Sequence, residues 1–333
     1  MADPKAKPAY NAGRRIRWLG MVIILVAIAY SAGWFWLAER VEAEAARMVE
    51  TQRGRGTSIE CADREVRGYP FRLEVHCTAF DLARPAQGLT IEAGGFRSAA
   101  QVYEPRRIYA ELDAPVAVQG ALAAPIRFDW SLARASATLS RPVPQRGSVA
   151  VEDIKVALGP MEQALSASHA EAHMRINGAD LDLALRYEGL VIDSRLTDGR
   201  TLPVVAGDAD LTIADGVALA ARGTETLRGV SGEIRRLALL LTPEQGVVVS
   251  GPFDIGQDGR LNARFEAILV DPAGLSTALK PVFPEFSGQM QMVTALPSRP
   301  GPDGTPETSI PVTVRDGRIV LGFIPVGWAP TFD

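Results

Sequence analysis

The pattern of apolar and polar positions changes abruptly along the chain. From Trp18 to Leu37 runs a stretch of 20 residues without a charge (WLGMVIILVAIAYSAGWFWL), which at about 1.5 Å per residue matches a hydrocarbon layer about 30 Å thick. A membrane-spanning helix is predicted there. Ala38 to Gln52 is rich in Ala, Glu and Arg, with Val41, Ala45 and Met48 at helical spacing, so the helix is expected to continue as a stalk over residues 38–56. Gly54 and Gly56 end it.

Beyond residue 57 the apolar positions alternate with period two, as in Leu181-Asp182-Leu183-Ala184-Leu185-Arg186-Tyr187 and Leu261-Asn262-Ala263-Arg264-Phe265-Glu266-Ala267. Strands with one apolar and one wet face give that pattern. Asp-Gly pairs at 198, 215, 258 and 316 precede further strand-like runs and are strong hairpin signals. Three of them read Asp-Gly-Arg at spacings of 60 and 58 residues. An internal repeat is left open by that spacing, although the intervening sequences are not alike. A short helix is predicted over 272–279, closed by Pro281 and Pro284, then a loop over 297–306 and a return to strand over 310–326. The expected fold is mainly β: a transmembrane helix, then a large, mostly antiparallel, curved sheet or sandwich with few short helices. The segments are a basic tail (1–17), the membrane span (18–37), the stalk (38–56) and the β-rich domain (57–333).

Charge orients this arrangement. Residues 1–17 hold Lys5, Lys7, Arg14, Arg15 and Arg17 against Asp3, so of the net −4 the remainder carries −8. Basic residues flank only the first end of the span, which by the positive-inside rule places the N-terminus in the cytoplasm and the β domain in the periplasm of a bacterial inner membrane. Trp18 at one end, and Trp34, Phe35 and Trp36 at the other, are expected at the two headgroup zones. Ala27-Ile28-Ala29 gives a cleaved signal peptide as the alternative; cleavage there would expose the aromatic cluster. An acidic domain without basic and aromatic interleaving argues against a nucleic-acid partner.

Cys61 and Cys77, the only cysteines, fall on the predicted outer side and bracket the Gly68-Tyr69-Pro70 turn. A disulfide is expected, and closing a loop of about 16 residues contributes roughly 3 kcal/mol. The surrounding Arg67-Gly68-Tyr69-Pro70-Phe71-Arg72-Leu73 string reads as a turn packing Tyr69 and Phe71 beside that bridge.

Candidate chemistry is sparse. His169-Ala170-Glu171-Ala172-His173 resembles a metal motif, but the metalloprotease pattern needs Glu directly after the first His and a helix. Alternation here puts His169, Glu171 and His173 on one wet strand face. Nucleophile-elbow, phosphate-loop and dinucleotide motifs are absent. The expectation is a protein without enzymatic activity, cofactor or metal.

The anchor, Cys61 and Cys77 bracketing Gly68-Tyr69-Pro70-Phe71-Arg72-Leu73, and the closing Asp316-Gly317-Arg318-Ile319-Val320-Leu321-Gly322 together resemble an uncharacterised family of anchored envelope proteins of alphaproteobacteria. That likeness implies location and a β-rich fold, and carries no functional residue. More loosely, repeated Asp-Gly hairpins behind an anchor are similar to the AsmA-like envelope proteins, whose curved sheets form an apolar groove for lipids. One expectation is therefore a groove for a lipid or other hydrophobic ligand lined by Leu181, Leu183, Leu185, Leu261 and Phe265. The other is a structural or assembly factor that docks other envelope proteins and packs those positions shut.

Overall fold

A computed structural model describes residues 12–120, 124–223, 226–322 and 324–332. Most of the predicted basic tail (1–11) and the side chain of Met48 lie outside the described residues. Helix α1 (Ala12–Gly54) is one unbroken rod of 43 residues covering the predicted span and stalk. It contains the one candidate membrane span among the described residues, by length and composition.

The strands are β1 (Ser58–Cys61), β2 (Glu65–Arg67), β3 (Arg72–Cys77), β4 (Phe80–Arg84), β5 (Leu89–Ala93), β6 (Phe96–Gln101), β7 (Glu104–Leu112), β8 (Val116–Gln119), β9 (Ile126–Asp129) and β10 (Leu132–Thr138). Longer ones follow: β11 (Arg146–Leu158), β12 (Met161–Asn177), β13 (Asp180–Ile192), β14 (Val205–Ile213), β15 (Ser231–Thr242), β16 (Gln245–Ile255) and β17 (Leu261–Val270). The short β18 (Arg299–Pro300), then β19 (Pro306–Arg315), β20 (Arg318–Leu321) and β21 (Ile324–Trp328) complete the set. All belong to one curved sheet whose ladders are antiparallel.

From β11 to β17 the sheet is a meander of neighbours, continued by β19, β20 and β21. On its other edge β11 divides. Its Arg146–Glu152 stretch pairs with β10, which leads through β7 and β6 to β3. Its Lys155–Leu158 stretch pairs with β9, which leads through β8, β5 and β4 to β1. Asp153 lies between the two stretches with a φ of 52°, a left-handed conformation that Asp tolerates better than most residues and that re-aims the strand. The two arms meet again: Cys61 of β1 is bridged to Cys77 of β3, with Cα atoms 5.2 Å apart, and the rings of Phe80 and Phe96 lie 6.4 Å apart. The N-terminal half therefore folds onto itself, and the rest is a single open layer.

The turn chemistry is partly as expected. Asp316-Gly317, both at positive φ, closes the tight β19–β20 hairpin, and Asp258-Gly259 lies in the connection between β16 and β17. Asp215-Gly216 is instead followed by helix α2 (Gly216–Arg222). A Cβ on Gly216 would stand 2.6 Å from that of Leu181, so glycine there serves close packing of the helix start on β13. Asp198-Gly199 follows the 3₁₀ turn Ser194–Leu196 and closes no hairpin. Helix α3 (Pro272–Leu279) occupies the predicted span, capped by Asp271 accepting from the Gly274 amide at 3.0 Å. Helix α4 (Ser287–Thr294) was not signalled by the pattern.

Candidate functional site

Strand registers assemble the apolar positions into continuous rungs. Leu73 of β3 pairs with Ala100, Ala100 with Ile108, Ile108 with Ala137, Ala137 with Gly147, Gly147 with Met174 and Met174 with Leu183. From Leu183 the rung continues to Leu211, Ile234 and Gly251. Beyond β16 it resumes at Phe265, followed by Val312 and Leu321. Every member is apolar or glycine. Thirteen strands are joined, and their twelve intervals at about 4.8 Å each make a path of roughly 58 Å. The glycines have local reasons: a side chain at Gly251 would collide with the Arg264 carbonyl, and one at Gly147 would crowd the Met174 side chain at 3.2 Å.

The adjacent rung is equally dry. It passes from Ala110 through Ala135, Val149, Ala172, Leu185, Ala209, Leu237, Val249 and Ala267 to Ile310. Larger side chains are interspersed with alanine, and although Ala267 is buried, the middle of the rung is open: Val149, Leu185 and Leu237 are 46%, 47% and 45% exposed, and Leu239 on the next rung 50%. At the β7–β13 end the surface hollows into a trough of ≈ 400 Å³, lined among others by Ile108, Ala137, Met174 and Leu183. In a closed sandwich such positions would be largely buried.

The register brings the five sequence-predicted groove residues onto this one face. Leu181, Leu183 and Leu185 lie on successive rungs of β13, and pairing through β14, β15 and β16 relates them to the alternate positions of β17 that include Leu261 and Phe265. Leu181 is overlain by the start of α2, whereas Leu185 is open.

At its β3 end the face is met by α1. Trp34 (5% exposed), Ala38 and Leu73 form a buried cluster, with Leu37, Val41, Val66 and Val102 against it. The Trp34 indole donates to the Arg72 carbonyl at 2.9 Å. Trp34 has a role that the sequence did not signal: it is a packing residue, because it faces β3, while Phe35 and Trp36 remain exposed. The Tyr69 turn also differs. Tyr69 stacks on Phe35 (centroids 5.6 Å apart) instead of packing beside the disulfide, and Phe71 is 65% exposed. Composition gave no signal for this docking, since Ser31 and Tyr30, which receive the turn, are unremarkable within an apolar run.

The opposite face is ionic. Asp182, buried, accepts from Arg175 at 2.7 Å, Thr212 at 2.8 Å and Arg235 at 3.2 Å. Arg235 is the extra residue of a β15 bulge, which lets it also reach Asp210. The Arg175 hydrogen bond, reinforced by Thr212 and Arg235, holds the Asp182 carboxyl well below the usual range. His169, Glu171 and His173 are on this face of β12, as alternation requires; a hydrogen bond to Glu152 at 3.0 Å raises the His169 imidazole above its ordinary value. Among the described residues no group of three or more His, Cys, Asp or Glu is placed to hold a metal ion.

No curated protein and no solved structure matches the chain. One family model matches residues 34–330, beginning at the very tryptophan that packs α1 onto the sheet. The chain belongs to the family described as uncharacterized protein conserved in bacteria (DUF2125).

Proposed function

We propose that this is a non-catalytic, single-pass envelope protein that holds lipid acyl chains on the open apolar face of its sheet. The observation that carries this reading is the pair of apolar rungs that run from the Leu73 end, beneath α1, across the sheet, with Val149, Leu185 and Leu237 open along the second. A soluble surface rarely exposes so long a contiguous apolar patch unless something binds there. One leaflet is about 15 Å deep, so a face of roughly 58 Å would accept acyl chains end to end. The Cys61–Cys77 bridge favours an oxidising compartment, and Arg14, Arg15 and Arg17 favour a cytoplasmic N-terminus. A periplasmic domain on a bacterial inner membrane fits both, and the looser AsmA-like resemblance points to the same use.

The test is photo-crosslinking of the full chain in lipid nanodiscs, with p-benzoylphenylalanine in place of Leu185, Leu237 or, on the other face, Arg186. Lipid adducts at the two leucine positions alone are expected. Equal labelling of both faces, or none, would remove the lipid reading.

A second reading rests on β21, which pairs only with β20 among the described strands and is exposed throughout, with Val326 and Trp328 at 52% and 70%. An open apolar edge can add a strand from another protein, as an assembly factor would use it. Crosslinks from Val326 to a single envelope protein in intact cells would favour that reading.

A further inference from the structure

The turn between β2 and β3 makes contacts that a water-facing loop has no need of. The Tyr30 hydroxyl donates to the Pro70 carbonyl at 2.6 Å, and the Ser31 and Tyr69 hydroxyls are 2.7 Å apart. Tyr30 and Ser31 belong to the charge-free run of α1, whose next charged residue is Glu39. Tyr30 lies nine residues before Glu39, about 13 Å along the helix axis, close to the full depth of one leaflet at about 15 Å. Whatever touches Tyr30 is at membrane depth if α1 spans. Part of the turn's backbone is already paired, which matters because lipid offers no hydrogen bonds: the Arg72 amide donates to the Gly68 carbonyl at 2.9 Å, and the Phe71 carbonyl accepts from Val102 at 3.0 Å. Through that last bond the β6–β7 tip stands beside the turn. The side chains presented outward are Tyr69, Phe71 and Tyr103, exposed by 51%, 65% and 75%, aromatic residues without a charge, which the bilayer accepts from the headgroup boundary inward.

We infer that the Tyr69-Pro70-Phe71 turn, with Tyr103 beside it, inserts into the outer half of the bilayer that α1 crosses. It is a second membrane contact, made by the β domain itself. Arg67 and Arg72, with side chains about three-fifths exposed, flank the turn and extend to the headgroup layer. This contact seats the sheet with its Leu73 end, closed by α1, at the lipid. The inference rests on α1 being a membrane span and deepens the lipid reading without depending on it.

The experiment uses the full chain in nanodiscs of phosphatidylethanolamine and phosphatidylglycerol, with p-benzoylphenylalanine in place of Val26, Phe71, Tyr103 or Trp328 in separate preparations. Trp328 is the control, an exposed aromatic at the far end of the sheet. Phospholipid adducts at 26, 71 and 103 at least about tenfold above those at 328 are expected from interfacial burial. Labelling at 26 with only control levels at 71 and 103 overturns the second contact and leaves the anchor standing. Control levels at 26 as well overturn both. Adducts at 185 report separately on the lipid reading.

Discussion

The strands before and after β11 are built from the same alternating sequence, yet they end differently. Before it, strands of three to nine residues divide into two arms that fold together and are pinned by Cys61–Cys77. After it, strands of up to 17 residues run as a single layer, with Leu185, Leu237 and Leu239 about half exposed. Apolar alternation specifies which face is dry but not what covers it. Covering comes from the corner at Asp153, from the bridge and from α1, and these belong to β11 and the chain before it. The second half has smaller covers, α2 over Leu181 and the buried α3 residues Pro272 and Leu275, and between them Leu185, Leu237 and Leu239 stay open.

If this division is right, damage to the closed half should cost most. Trp34→Ala removes the largest side chain of the α1–β3 cluster and is expected to destabilise by about 3–5 kcal/mol, read as a lowered unfolding midpoint in detergent. Replacing both Cys61 and Cys77 with Ala is expected to cost roughly 3 kcal/mol. Hydrogen exchange should locate that loss in β1 to β10 and spare β13 to β17. Equal loosening of both regions would mean that they do not behave as distinct parts.

The ionic face of the open half is expected to matter less. Asp182→Asn should cost about 1–2 kcal/mol by weakening its charged hydrogen bonds. The sign with pH follows from a folded-state pKa lowered by Arg175, Thr212 and Arg235. The stabilisation is complete above the unfolded carboxyl value of about 4, and is lost as pH falls through the depressed folded value. Acid titration of stability should therefore be shallower in the variant. Identical slopes would show that Asp182 titrates alike in both states.

Much of this architecture was readable in advance, for identifiable reasons. The uncharged run, the β13 and β17 alternation, the α3 span and the cysteine pair are local signals, each set by periodicity or residue type within a few positions. Leu181, Leu183, Leu185, Leu261 and Phe265 could be assigned to one face because period two fixes parity. The arms of β11 could not, because Asp153 looks like any strand aspartate until its φ of 52° is known. Helix α2 was hidden because Asp215-Gly216 is the same dipeptide that closes a hairpin at Asp316-Gly317. The packing role of Trp34 could not be read either, because its partner, Leu73, lies 39 residues away in sequence.

The smallest expected effect on stability separates the two halves most sharply. Leu237 and Leu239 are on the apolar face of β15 and are 45% and 50% exposed. Changing both to Asn leaves the β14–β16 ladder intact and should cost less than about 1 kcal/mol, since little packing is lost at open positions. Were the face closed, the same pair would forfeit about 2–5 kcal/mol per site, as buried leucines do. The variant should unfold close to the parent midpoint yet yield few lipid adducts from a probe at Leu185, whose rung contains Leu237. Near-normal stability with undiminished adducts would mean that lipid does not lie along this rung. A large loss of stability would mean that the sheet covers the face itself, and that the contrast between its halves is one of strand length alone.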